Sequence, residues 1–160
     1  MVGSLPIAKG KGHESGRLLL ARMYRQATGE EMPAIVIATM GKPRFAHGDW
    51  HFSISHTPNW VFVALATHPV GLDAEELSRQ VDPRLAKKIL SAGEYAQYEA
   101  AQDKNKALLT FWVLKEAQGK LTGEGLHPWP NHTDFSLDDP HVFTQDGCIL
   151  ALLEEKPHAF

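Results

Sequence analysis

A single cysteine, Cys148, stands in the 160 residues. That excludes an internal disulfide and any cysteine-rich zinc site. Long apolar stretches are missing too. The longest uninterrupted one, Trp60–Ala66, falls far short of the roughly 20 residues a helical membrane span needs. Residues 1–10 hold no long apolar core of the kind a secretory signal carries. A basic balance is also lacking: the net charge is −3 and the isoelectric point about 6.3, which argues against a nucleic-acid partner. No phosphate-cradling glycine loop is present, because Gly123-Glu124-Gly125 follows a helical pattern instead of opening one. The expectation is a soluble, cytoplasmic protein with neither a membrane nor a nucleic acid as partner.

What is there suits a packed core. Apolar residues make up 43% and charged residues 22%, enough for one domain or two fused half-domains. The charge is uneven along the chain. Residues 1–44 hold seven Lys or Arg against three acids, a net +4 that leaves −7 for the remainder. Such an asymmetry could set phosphates beside metal-binding carboxylates. Uneven scatter over an ordinary surface is the other reading.

Periodicity outlines the elements. Residues 16–26 form a helix with Leu18, Leu19, Leu20 and Met23 as its apolar positions, and residues 33–38 a short strand. Gly41-Lys42-Pro43 reads as a turn. Trp50, Phe52 and Ile54 alternate with His51, Ser53 and Ser55, the two-residue period of a half-buried strand. With Trp60–Ala66 this strand predicts a hairpin whose loop carries Ser55 and His56. Residues 70–75 form another strand. Asp82-Pro83 caps a helix through Ile89, and Ser91 with Glu94 has the spacing of a capping box for a helix to about Gln102. A third helix spans roughly 105–121. The tail is loop until Gln145-Asp146-Gly147 turns the chain into a last strand, 148–153. Helices and mostly antiparallel strands without a βαβ alternation make the class α+β.

A few residues carry candidate chemistry. Asp73 and Glu75 lie two apart on a strand and share a face. Glu116 sits mid-helix beside the apolar stripe. Two or three convergent carboxylates suit a hard divalent cation, with waters and substrate phosphates completing its shell. Lys120 follows Glu116 at i+4. By spacing alone this is an ordinary exposed ion pair, and the metal-site alternative stays open. Ser55-His56 offers two donors where a phosphate could dock. A hydrolase triad of Ser55, His56 and Asp73 lacks a nucleophile elbow, and adjacent side chains do not easily face each other.

The order of segments adds a resemblance. Gly41-Lys42-Pro43, then Phe52-Ser53-Ile54-Ser55-His56, then Val70-Gly71-Leu72-Asp73-Ala74-Glu75 are followed by Trp112-Val113-Leu114-Lys115-Glu116-Ala117-Gln118-Gly119-Lys120. The series closes in Gly123-Glu124-Gly125-Leu126. In this order they resemble the 4′-phosphopantetheinyl transferases, Sfp-type branch, over residues 41–126, with a weaker echo across 16–26. The resemblance implies transfer of the phosphopantetheine arm of coenzyme A onto a serine of an apo acyl or peptidyl carrier protein, releasing adenosine 3′,5′-bisphosphate. The implied fold is two similar α+β halves packed as a pseudo-dimer, residues 1–68 and 69–160, in a monomer.

Carried over position by position, Asp73, Glu75 and Glu116 match the family's Mg²⁺-binding acids, with Mn²⁺ as a substitute metal. Glu116, or water it activates, also matches the base for the carrier serine, and Lys120 the lysine that offsets charge on the leaving phosphate. His56 with Ser55 matches a phosphate-contacting pair, and Lys42 with Pro43 the stretch near the adenine. The basic residues for the 3′-phosphate match loosely, to Lys9, Lys11 or Arg17, because Sfp-type relatives carry further residues ahead of the 16–26 helix. Ser53 stands where the family usually has Asn and is expected to loosen its loop. Ala74 stands where a bulky aliphatic is usual, a difference of packing. The rivals are a non-catalytic binder of coenzyme A or carrier protein and a metal-dependent phosphodiesterase.

Overall fold

The computed structural model describes residues 1–8, 10–124 and 134–155. Along the chain run β1 (Val2–Pro6), α1 (Gly12–Thr28), β2 (Ile35–Ile37), β3 (Pro43–Phe45), β4 (His51–His56), β5 (Trp60–Ala66) and β6 (Val70–Glu76). A 3₁₀ turn (Pro83–Leu85), α2 (Ala86–Ile89), α3 (Ala92–Ala100), α4 (Lys104–Thr122), β7 (Val142–Gln145) and β8 (Cys148–Glu154) follow. The strands pair antiparallel as β1–β5–β4, β2–β3 and β6–β8–β7. The class is α+β.

β5 shows why its seven residues are apolar throughout: both faces are covered. Val61, Val63 and Leu65 pack with Leu19, Leu20 and Met23 of α1. On the other face Phe62, Ala64 and Ala66 meet Val70, Leu72 and Ala74 of β6 and Leu150 of β8. β8 alternates in the same way, sending Ile149, Ala151 and Leu153 into a cluster with Leu108, Phe111 and Leu114 of α4. The layers are therefore α1, sheet, sheet, α4. Each fully buried large aliphatic or aromatic side chain contributes about 1.5–3 kcal/mol.

The same alternation orients β6. Since Val70, Leu72 and Ala74 point at the first sheet, Gly71, Asp73 and Glu75 point the other way, towards α4. Gly71 lets α4 come close: a Cβ there would lie 2.1 Å from the carbonyl oxygen of Ala117 and 2.6 Å from the amide of Leu121. The helix is held at both ends. Asp103 accepts from the Lys106 amide at 2.8 Å, and Gly123 ends the helix at φ 79°.

Edge strands β4 and β6 join through side chains. The amide of Leu72 donates to Ser53 Oγ at 3.0 Å and that of Ala74 to Ser55 Oγ at 3.1 Å. Serine hydroxyls thus satisfy edge amides where a strand ladder would otherwise do so. This overturns two expectations. Ser55 and His56 belong to β4, opposite Phe62 and Val61, and the turn is at residues 57–59, closed by the Thr57 amide on the Trp60 carbonyl at 2.8 Å. Ser53 does not loosen a loop; it is buried in a strand and bonded to β6.

Other boundaries shift for local reasons. β1 escapes periodicity because Gly3 faces α1, where a Cβ would lie 2.8 Å from Met23 Sδ. β7 forms because Asp146 and Gly147, at φ 50° and 72°, make a tight hairpin turn into β8. Pro43 begins β3, and the turn ahead of it uses Gly41 at φ 87°. The expected 82–89 helix is a 3₁₀ turn capped by Asp82 followed by one turn of α2. The Ser91–Glu94 capping box is present, and α3 stops at Ala100 because Ala101 is extended. Gly125 and Leu126, at the end of the motif series, and Lys9 lie outside the described residues.

Candidate active site

A cavity of about 600 Å³ opens where α1, β2–β3, β4, β6 and α4 meet, lined by His13, Arg17, Lys42, Pro43, Ser55, His56, Asp73, Glu75, Trp112, Glu116 and Lys120. Its polar floor comes from β6 and α4. Asp73, buried, accepts on Oδ1 from Ser55 Oγ at 2.9 Å and from Lys120 Nζ at 2.8 Å. Its Oδ2 is buried with no hydrogen-bond partner. Lys120 Nζ also donates to the carbonyls of Leu72 at 3.0 Å and Ile54 at 3.4 Å. That ammonium ties α4 to both sheets.

Glu75 is paired with Arg79. Burial pushes its carboxyl up, while the Arg79 charge and a hydrogen bond from the Trp112 indole pull it down. Glu116 is half-buried and is pushed up to about 7, first by burial and then by the charge on Asp73. Lys120 and Arg79 oppose that rise without cancelling it. The three acids line one cavity, yet among the described residues no three acidic, histidine or cysteine groups are gathered to hold a metal ion. Lys120 pairs with Asp73, and Arg79 with Glu75. The donor set still fits a hard divalent cation. It is all oxygen, one Asp73 oxygen lacks a partner among the described residues, and Glu116 is raised by burial and then by the charge on Asp73.

On the opposite wall His56 is depressed below the usual histidine range by burial, then by His13 and Lys120. The His13 ring lies 5.2 Å away, tilted by 54°. Gly12 makes room for it, since a Cβ there would lie 2.7 Å from the His56 ring. Ser55 Oγ donates to Asp73 and accepts from the Ala74 amide. A Ser55–His56–Asp73 triad fails because Ser55 donates to Asp73 and not to His56.

Lys42 lines the cavity, but its ammonium donates to the carbonyl of Leu121 at 2.9 Å and approaches that of Val70 at 3.4 Å. It neutralises the carbonyl end of α4, and burial lowers its pKa. Arg17 lines the mouth from α1. Lys11 is elsewhere, exposed and paired with Glu14 at 2.9 Å.

Several residues escaped the sequence reading. Arg79 is four residues from Glu75, but helical spacing rules do not apply at the end of a strand. Trp112 precedes Glu116 by one helical turn, a signal that was available. His13 and Gly12 gave none. Glu94 and Lys115 form an ion pair at 2.8 Å with both side chains 0% exposed. Glu94 also accepts from the amides of Ser91 at 2.9 Å and Phe135 at 3.0 Å. Consecutive helical residues point about 100° apart, so pinning Lys115 inward fixes Glu116 outward.

Residues 69–154 match the family model of the 4′-phosphopantetheinyl transferase superfamily. Among curated proteins, the chain is 36% identical over 89 residues to the 4′-phosphopantetheinyl transferase gsp of Aneurinibacillus migulanus, covering 54% of this chain and 37% of that one. Identity is 32% over 116 residues to psf-1 of Bacillus pumilus, with 69% and 49% covered. It is 33% over 134 residues to a 4′-phosphopantetheinyl transferase of Bacillus subtilis, with 79% and 59% covered. The chain thus spans about half the length of these relatives.

Proposed function

The chain belongs to the 4′-phosphopantetheinyl transferase superfamily, and from that premise we propose that it moves the 4′-phosphopantetheine arm of coenzyme A onto a serine of an apo acyl or peptidyl carrier protein. The observation that carries the reading is one cavity holding Asp73, Glu75, Glu116, Lys120 and His56 together. Positioning and charge stabilisation are most of what phosphoryl transfer asks of a protein.

In this reading the serine oxygen of the carrier bonds to the phosphorus bearing the pantetheine, and the bond from that phosphorus to the bridging oxygen breaks. Adenosine 3′,5′-bisphosphate leaves. Glu116, or a water it activates, takes the serine proton. Lys120 meets the charge growing on the leaving phosphate. Asp73, Glu75 and Glu116 would hold Mg²⁺, or Mn²⁺ in its place, and the cation would supply neutralisation of the diphosphate.

Ser55 orients Asp73, and His56 faces the phosphates. The stem of Lys42, with Pro43, flanks the adenine, and Arg17 at the mouth attracts the remaining phosphate.

The proposal extends to architecture. Each of the two three-stranded sheets carries one long helix, which supports reading residues 1–68 and 69–160 as two similar halves, a pseudo-dimer within a monomer. Among the described residues no helix is long and apolar enough to cross a membrane, and a cytoplasmic place fits coenzyme A as substrate.

The test is release of adenosine 3′,5′-bisphosphate from coenzyme A in the presence of Mg²⁺. Release that requires apo carrier protein, and is lost in Asp73→Ala and in excess chelator, is the expected result. Release without carrier would instead make the protein a phosphodiesterase, and no release with intact coenzyme A binding would make it a binding module.

A further inference from the structure

Arg79 is delivered to Glu75 with more support than a surface ion pair needs. Its amide donates to the Glu76 carbonyl at 2.9 Å. Its own carbonyl accepts from Asn105 Nδ2 at 2.9 Å, while Asn105 Oδ1 takes the Val81 amide at 2.9 Å. The stretch after β6 is therefore fastened to the start of α4 at the Arg79 carbonyl and the Val81 amide. The guanidinium lies over the Trp112 ring, 5.2 Å from its centre, a contact that favours a cation. Trp112 also hydrogen-bonds the Glu75 carboxylate. Glu75 is the more sheltered partner, its side chain 18% exposed against 40% for Arg79.

A guanidinium on one carboxylate oxygen takes up part of that oxygen's acceptor capacity and offsets the negative charge that a metal ion would meet. Yet Glu75 is one of the three acids read above as holding a divalent cation. We propose that Arg79 competes with that cation for Glu75, a tethered counter-ion that sets how tightly the site takes the metal. The inference rests on the reading of Asp73, Glu75 and Glu116 as the metal-holding set. It concerns the chain's own charge and needs no turnover to be tested. Trp112 gives the guanidinium an alternative seat, so that leaving Glu75 does not strand it in water. Lys120 occupies Asp73 in a parallel way, but it is assigned to the substrate and is left out of the test.

The experiment is Mn²⁺ binding, read as loss of the free-ion signal in electron paramagnetic resonance, on the whole chain. Wild type, Arg79→Gln, Arg79→Lys, Arg84→Gln and Asp73→Asn are compared, each first checked by its thermal melt. Arg79→Gln should bind Mn²⁺ about tenfold more tightly, the effect of removing one charge in contact with a carboxylate. Arg79→Lys, which keeps the charge, should lie between it and wild type. Arg84→Gln removes an equal charge from a nearby exposed pair with Asp82 and should leave binding unchanged. Tighter binding by Arg79→Gln over a wild type too weak to measure also supports the proposal. Unchanged or weaker binding by Arg79→Gln, or an equal gain in Arg84→Gln, overturns it. Mn²⁺ binding that Asp73→Asn does not weaken overturns the metal-site reading itself, and the competition with it. Binding that is sensitive to Asp73→Asn yet indifferent to Arg79→Gln sinks only the competition.

Discussion

Glu116 lies half in the protein among other acids, so its carboxyl keeps a proton to about 7, where an unfolded chain would lose it near 4.5. Between those values the folded state binds more protons than the unfolded one, and stability must fall as pH rises. The contribution is fully present below 4.5 and lost above about 7. With chelator present, Glu116→Gln should therefore gain stability over wild type steadily across that window, measured as urea midpoints. A difference that stays constant with pH would contradict the assignment. Lys120 carries a separate expectation. A cation beside the leaving group helps the transition state more than bound substrate, and losing it typically costs about 3 kcal/mol, or roughly 10²-fold in rate. Lys120→Ala should lower kcat, whereas Arg17→Ala should raise KM for coenzyme A with kcat nearly kept. Steady-state kinetics on both variants decides; a pure KM effect in Lys120→Ala would make it a binding residue. The acids, Lys120 and His56 were legible because they sit in ordered motifs. Arg79 and His13 were not, since chain distance and packing bring them in, and the bond from Ser55 to Asp73 was not, since it crosses between two sheets.

The meeting of β6 with α4 sets the distance between Asp73 and the pair Glu116 and Lys120. Gly71 is the point of closest approach, and an added methyl there meets backbone atoms that have no room to yield. Gly71→Ala should cost about 3 kcal/mol, the upper range for overpacking, and should reduce activity by parting the strand from the helix. Urea denaturation checks the first part; a loss below about 1 kcal/mol would show that the contact relaxes easily. At this scale the sequence was readable where a cap or an alternation announced the element. Ser91 with Glu94 and Asp146-Gly147 mark ends that the structure contains. β1 and β7 were hidden because short edge strands with glycine or polar residues carry little period. β4 was seen, but its serine face pointed to solvent in the reading and to β6 in the structure.

Over the whole molecule, one chain supplies both walls of the cavity: α1 and β4 on one side, β6 and α4 on the other. On the pseudo-dimer proposal, sedimentation at micromolar concentration should return a single 17.7 kDa chain; a mass of three chains would contradict it. The stacking of two sheets between two helices could not be read from periodicity, which tells that a face is buried but not against what. Only the apolar run of β5, buried on both sides, hinted at it. The central claim, transfer of the phosphopantetheine arm, is tested most directly by the intact mass of an apo carrier protein incubated with this chain, coenzyme A and Mg²⁺. The carrier should gain the mass of one phosphopantetheine, with its active-site serine as the modified residue and no gain with Asp73→Ala. A panel of acyl and peptidyl carriers all left at their starting mass, with the chain folded and coenzyme A bound, would contradict the account.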